Sequence, residues 1–314
     1  WPFLFLFSGF FSLFHMTTLR PHVLSIAFNI LAFSFAVSGS VWGVLGASFA
    51  IGFFHLNLFW SAILILGILS VLKFISEKSF DLQIILSSVG GLILGWLLRP
   101  NPFGAAKLVY IQIVQLMLEK QKGTPLNFAL ELYPLGWAAF SQFLPFMILW
   151  LLAIYIFLRR PQKELILWSS FALSAIFFIM TVFVAQRSFV FWIAFGVIFI
   201  ASALAREKKT AILAIAAVLA VFMAGQSLYK NDRFLKTSGW SPERFQSAAE
   251  WLKNNSEPGD IVFNASWDYF PELFFWNQKN YYIGGMDPIF QYAYDQRLYW
   301  EAYYLETGKT TNFT

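Results

Sequence analysis

The chain has 314 residues, 58% of them hydrophobic and 12% charged, with 38 Phe, 13 Trp, 12 Tyr and a mean hydropathy of +0.62. Soluble globular domains carry roughly 25% charged residues, so this composition excludes an ordinary soluble enzyme, a disordered chain and a collagen-like one. With no Cys, disulfides, thiolate metal sites and cysteine nucleophiles are excluded too, and any chemistry falls to carboxylates, His, Arg and Lys.

The apolar run from Trp1 to Phe14 is shorter than the roughly 20 residues that a spanning helix needs. It reads as the remainder of a truncated first span, because a signal peptide would show a basic region before the run and a small-residue cleavage site after it. An N-terminal portion is expected upstream of Trp1. Eight further apolar runs, at 23–38, 41–55, 58–74, 82–98, 137–158, 165–184, 189–205 and 211–228, bring the expected total to about nine spans. The least secure boundary is His55-Leu56-Asn57, because Val41 to Phe74 is one run with few polar interruptions. It is read here as a split into two spans. The expected class is an α-helical polytopic membrane protein, with a membrane domain at 1–228 and a small C-terminal α/β domain at 229–314.

Lys and Arg accumulate in short cytoplasmic loops. Arg159, Arg160 and Lys163 mark one such loop, and Arg206, Lys208 and Lys209 another. Alternation of the spans then puts Lys73 to Asp81 inside as well, and places 101–135 and the tail after Leu228 on the extracytoplasmic side of the cell membrane. The two halves also differ in charge. Residues 1–228 hold 14 basic and 6 acidic groups, whereas 229–314 hold 8 and 11. The overall +5 is thus a topology signal, and no nucleic-acid partner is implied.

Within 101–135, Gln112, Gln115, Glu119 and Lys122 recur at helical spacing, opposite Val109, Ile113, Leu116 and Met117. This predicts a helix lying in the outer interface with its polar side to water. In the tail, Ser241-Pro242-Glu243 reads as an N-terminus for a helix of about 13 residues. Ile261-Val262-Phe263 and Tyr281-Tyr282-Ile283 read as strands around a short helix at Phe270 to Trp276. In such a βαβ unit the strands are parallel, so Ser266-Trp267-Asp268 and Gly284 to Pro288 emerge at one carboxyl edge, the usual ligand edge of an open α/β sheet. Sixteen of the 42 residues from Phe263 to Tyr304 are aromatic, more than so small a unit buries in its own core. An aromatic belt on the bilayer and sugar stacking both account for them.

Many spans, an outer interfacial loop and an outer α/β tail resemble the GT-C superfamily of polyprenyl-phosphate-dependent glycosyltransferases. Leu19-Arg20-Pro21-His22, Arg99-Pro100-Asn101-Pro102-Phe103-Gly104, and Glu250-Trp251-Leu252 with Pro258-Gly259-Asp260-Ile261-Val262-Phe263 look like a poorly characterised bacterial branch of it. Ser266-Trp267-Asp268-Tyr269 is similar to the Trp-Trp-Asp-Tyr-Gly signature of oligosaccharyltransferase catalytic subunits. Ser266 and Phe270 depart from that signature, so its acceptor-reading role is not carried over. The resemblance implies sugar transfer at the extracytoplasmic face from a polyprenyl-phosphate donor to a glycan, lipid or protein acceptor. It also implies a catalytic Asp or Glu in a first outer loop, upstream of residue 1.

On the expected topology Arg20, His22, His55, Arg99 and Arg187 all lie at outer span ends, where cations are normally scarce. An Arg fork suits a donor phosphate, and snorkelling to headgroup phosphates is the plainer account. A divalent metal would need His15, His22 and His55 to converge without a companion carboxylate. Trp267, Asp268 and Asp287 are the tail's candidate substrate contacts, although capping a helix or holding a turn would also explain both Asp residues. A polysaccharide polymerase or ligase would use similar lipid donors. A transporter or flippase would be expected to show broken helices and ionisable groups near mid-membrane.

Overall fold

The computed structural model describes residues 2–17, 21–126, 129–159, 164–205, 207–237, 241, 243–285 and 287–309. These divide into two compact units, 1–106 with 131–237, and 107–130 with 238–314.

Among the described residues, the regular structure of the first unit is all helical. Short helices α1 (Pro2–Phe7) and α2 (Phe10–Thr17) replace a single first run. They are separated at Ser8-Gly9, where the Ser8 and Ser12 hydroxyls both donate to Phe5 O. Then follow α3 (Pro21–Val37), α4 (Val41–Phe54), α5 (Phe59–Glu77), α6 (Leu82–Leu97) and the start of α7 (Pro102–Val109). The helical segment continues through a π-turn at Tyr110–Gln115 into α8 (Leu116–Lys122), both in the second unit. Short α9 (Trp137–Phe140) leads to α10 (Leu144–Arg159), α11 (Leu165–Phe183), α12 (Phe189–Leu204) and α13 (Thr210–Thr237).

Each of the eight later apolar runs is thus helical, 137–158 being divided between α9 and α10. Among the described residues, five helical segments are long and apolar enough to cross a membrane: Leu56–Glu77, Trp137–Arg159, Leu165–Phe183, Gln186–Leu204 and Thr210–Thr237. A sixth is added if the broken pair Leu82–Leu97 and Pro102–Lys122 counts as one span. The helices α3 and α4 are apolar but shorter, so the expected nine is reached only by counting helices below full span length. The long apolar helices are those of a multi-pass membrane protein. On α13, Val218, Val221 and Phe222 are exposed, Val221 by 74%. A contiguous apolar face of this kind fits lipid, not water.

Local chemistry sets the helix ends. Ser40 caps α4 by accepting from Gly43 N at 3.3 Å. Asp81 caps α6 by accepting from Ile84 N, and also pairs with Lys73 at 3.1 Å. The turn before α4 uses Gly39 at φ 74°, a left-handed conformation that glycine adopts without steric cost.

Two helix pairs fix the direction of the chain through α3 to α6. Ser25 of α3 meets His55, just before α5, and Asn29 meets Ser61 of α5, the ascending order that a parallel α3 and α5 would give. Ser48 and Gly52 of α4 meet Ser88 and Leu92 of α6, also in ascending order. With α4 and α6 parallel, α5 must run the other way. The chain therefore reverses at His55, as the split at 55–57 expects. The α4–α6 contact is a close approach of backbones. Side chains at Gly91 and Gly95 would overlap Leu45 O and Phe49 O, and a Cβ at Gly52 would sit 2.5 Å from Leu92 O. Ser48-x-x-x-Gly52 facing Gly91-x-x-x-Gly95 is the small-residue pattern that lets apolar helices pack without a hydrophobic driving force.

The centre of this unit is α12, where Trp192, Phe195 and Phe199 are fully buried. Rings of Phe143, Phe146, Trp150 and Phe178 surround Trp192 at 5.0–6.2 Å.

In the second unit, α14 (Gln246–Asn255) begins later than the predicted helix from Ser241, because 243–245 forms a turn first. Strands β1 (Ile261–Val262) and β2 (Tyr281–Tyr282) pair in parallel, Ile261 with Tyr281, and α15 (Phe270–Trp276) lies between them in sequence. The expected βαβ unit is present. Asn264 extends the pairing beyond the strands, its side chain donating to Gly284 O at 2.6 Å and accepting from Gly284 N at 3.0 Å. The unit ends with α16 (Pro288–Tyr294) and α17 (Gln296–Glu306).

The amphipathic reading of the interfacial helix needs one correction. Glu119, assigned to the polar face, is buried beside Leu116. Its carboxylate accepts from Lys122 Nζ at 2.8 Å and Thr124 Oγ1 at 2.7 Å, and Tyr292 of α16 also reaches it. Buried charges persist where they are paired and hydrogen-bonded in this way, and spacing alone does not reveal such partners.

Candidate functional site

Because α4 and α6 run parallel, their C-termini lie together, and Arg99 follows the last turn of α6. Its Nη1 donates to Phe53 O at 2.7 Å and Gly52 O at 3.3 Å. These carbonyls belong to the last turn of α4, where the helix leaves acceptors unsatisfied and the macrodipole favours a cation. Part of the Arg99 fork is thus committed to closing a helix end.

His55 is the next residue after α4, with φ −150° and ψ 74° outside the helical region, and its backbone N–H closes onto Ile51 O. Its Nδ1 lies 3.1 Å from Ser25 Oγ. Arg187 and Arg99 both lie close enough to act electrostatically on His55, which puts three of the predicted cationic positions toward one end of the helical unit.

Arg187 sits in the tight turn Gln186–Ser188 between α11 and α12. Segment 131–135 is laced to this turn by Leu135 N donating to Thr181 O at 3.0 Å and Gln186 N donating to Tyr133 O at 2.7 Å. That lacing brings Glu131 to Arg187, with Oε1 and Nη1 3.4 Å apart. Arg187 is 38% exposed and Glu131 28%, so the pair is accessible. Surface ion pairs of this length contribute little to stability.

A polar stripe descends from this cluster into the bundle. His22, Ser25 and Asn29 of α3 are buried and share one helix face through their spacing of three and four. Asn29 donates to Ser25 O at 2.8 Å and accepts from Ser61 Oγ at 3.2 Å, and Ser61 also donates to Leu58 O. The sequence reading singled out His22 but not Ser25, Asn29 or Ser61. The spacing of Ser25 and Asn29 inside 23–38 was the available signal for those two. Glu131 was missed because its segment was read as interfacial, and its pairing depends on backbone bonds to a turn some fifty residues away. Arg20 lies outside the described residues.

The tail candidates belong to the second unit. Asp268 is exposed within the single turn Trp267–Tyr269 and makes no capping hydrogen bond, and Asp287 stands at the N-cap position of α16 without a side-chain cap bond. Helix capping therefore does not account for Asp268, whereas the Asp287 carbonyl accepts from Phe290 N at 2.9 Å where α16 starts. Both follow the ends of the parallel strands, the edge expected from the βαβ reading. Trp267 lines a narrow cleft with Pro288, Gln291, Tyr299, Tyr303 and Glu306, where burial holds the Glu306 carboxyl above its usual range. Among the described residues, no group of three or more His, Asp or Glu is placed to hold a metal ion.

Comparison of the chain with protein-family models, curated proteins and solved structures gives no match.

Proposed function

We propose that the protein is an integral membrane glycosyltransferase of the GT-C type, moving a sugar from a polyprenyl-phosphate donor to an acceptor at the extracytoplasmic face. The observation that carries this reading is the gathering of His55, Arg99 and Arg187 at one end of an apolar helical unit. An accessible guanidinium paired with a carboxylate is suited to a lipid-linked phosphate.

In the proposed step the acceptor hydroxyl oxygen bonds to the anomeric carbon. The bond from that carbon to the phosphate oxygen breaks, and its electron pair leaves with the phosphate. Arg187 stabilises that developing charge, with Glu131 as its counter-ion before the donor arrives. The hydroxyl proton passes to a carboxylate base. Within the second unit, Trp267, Asp268 and Asp287 are proposed as substrate contacts.

A transporter or flippase is the second reading, favoured by the buried stripe His22–Ser25–Asn29–Ser61, since polar groups inside apolar helices mark ligand paths. The full-length protein in proteoliposomes, supplied with a panel of polyprenyl-phosphate sugars and glycan, lipid and protein acceptors, separates the two. Covalent transfer of sugar supports the enzyme. Donor translocation without transfer refutes it.

A further inference from the structure

The opposite end of α12 from Arg187 carries a second cationic site, built independently of the first. Arg159 ends α10, and Lys209 immediately precedes α13. Together with Tyr155, Ile156, Glu207 and Ile212 they line a cavity of about 300 Å³. That is about ten times the roughly 30 Å³ a water occupies in the liquid, and it matches the lower end of small-ligand sites.

Its lining is graded. Arg159 lies over the Tyr155 ring, 4.7 Å from its centroid, which orients the guanidinium. Glu207 Oε1 accepts from Lys209 N at 2.9 Å, so the carboxylate closes the turn that presents the Lys209 side chain. Ile156 and Ile212 supply apolar lining from two different helices, and Leu158, Leu213 and Ile215 nearby on the same helices are exposed. Two cations around a cavity exclude a metal ion as the natural occupant. Basic cavities between helices at a membrane surface fit phosphate head groups, and the adjoining exposed apolar residues fit acyl chains.

We propose that Arg159, Lys209 and Tyr155 bind the phosphate head group of an anionic phospholipid. The assignment does not depend on the glycosyltransferase reading, and its test needs no sugar substrate. The full chain is placed in nanodiscs of phosphatidylcholine with increasing phosphatidylglycerol, and retained lipid is counted by native mass spectrometry. Parallel samples in phosphatidylcholine alone receive inorganic phosphate.

Phosphatidylglycerol is expected to be retained over phosphatidylcholine. R159Q and K209Q should each weaken that preference about fivefold, the effect of one basic group at a membrane surface. E207Q should strengthen it by removing the competing charge. K236Q, an exposed group at the far end of α13, should leave it unchanged. Melting in phosphatidylcholine alone checks folding, and R159K, which keeps the charge, should bind if R159Q fails to fold. Equal retention of the two lipids by the unaltered protein, or an unchanged preference in the folded double variant R159Q/K209Q, would overturn the proposal. Equally tight binding of inorganic phosphate would overturn the lipid assignment in favour of a soluble phosphate.

Discussion

Arg99 and Phe53 are 46 positions apart, yet the guanidinium of one lies 2.7 Å from the carbonyl of the other. The contact exists because α4 and α6 run in the same direction and finish together. It ties a predicted phosphate ligand to the job of closing a helix. R99M should therefore destabilise the protein even without donor, by about 1.5–3 kcal/mol for a lost charged hydrogen bond, measured by thermal unfolding in detergent. An unaltered melting midpoint in R99M would show that the cap contributes nothing.

The same parallel pair predicts sharp sensitivity at Gly95. A methyl group there meets the backbone of α4 at Phe49 and not a side chain that can swing aside. G95A should cost about 1–3 kcal/mol, the usual range for overpacking. G90A, where a Cβ meets nothing within 4 Å, should be tolerated. Equal melting temperatures for the two variants would contradict the close approach.

In the second unit, hydrogen bonds from Lys122 and Thr124 hold the Glu119 carboxyl below its usual range. A carboxyl depressed in the folded state contributes stability that is present above its unfolded pKa, near 4.5, and lost as pH falls through the folded value. Acidification from pH 5 downward should therefore loosen the packing of α8 in wild type. E119Q should be less stable at neutral pH and show a flatter acid limb, read by hydrogen exchange over 116–122. An acid limb as steep as wild type in E119Q would assign the loss to other carboxylates.

Much of this architecture was legible in the sequence because every long apolar run is helical, although the first run and 137–158 are each divided between two helices. The reversal at His55 was legible too, since a His and an Asn interrupting an otherwise apolar run mark a turn. The parallel pairing of Ile261 with Tyr281 followed from a helix lying between two short β-rich runs. The small-residue seam from Ser48 to Gly95 carried a readable spacing that was not used. Other features depend on contacts between distant segments. Glu131 meets Arg187 only because backbone bonds at Tyr133 and Leu135 tie its segment to a remote turn. Glu119 is reached by Tyr292, far along the chain. Helical periodicity reports a local face and not what later covers it.

Orientation in the membrane is a separate prediction, motivated by the basic turns after α10 and α12. The protein has no Cys, so Lys208→Cys and Glu257→Cys give clean reporters. In intact cells a membrane-impermeant thiol reagent should label position 257 and spare position 208. The reverse pattern would invert the topology and move the Arg187 cluster to the cytoplasmic face.

The central claim is that Arg187 holds a donor phosphate. Its most direct test is the affinity of the purified full-length protein for a polyprenyl-phosphate sugar, compared between wild type and R187K. Lysine keeps the charge but loses the two-pronged geometry. A lost charged hydrogen bond of about 1.5–3 kcal/mol predicts about a 10- to 150-fold weaker Kd, with protein abundance and melting unchanged. An R187K protein that binds the donor as tightly as wild type would leave Arg187 as a headgroup anchor and contradict the account.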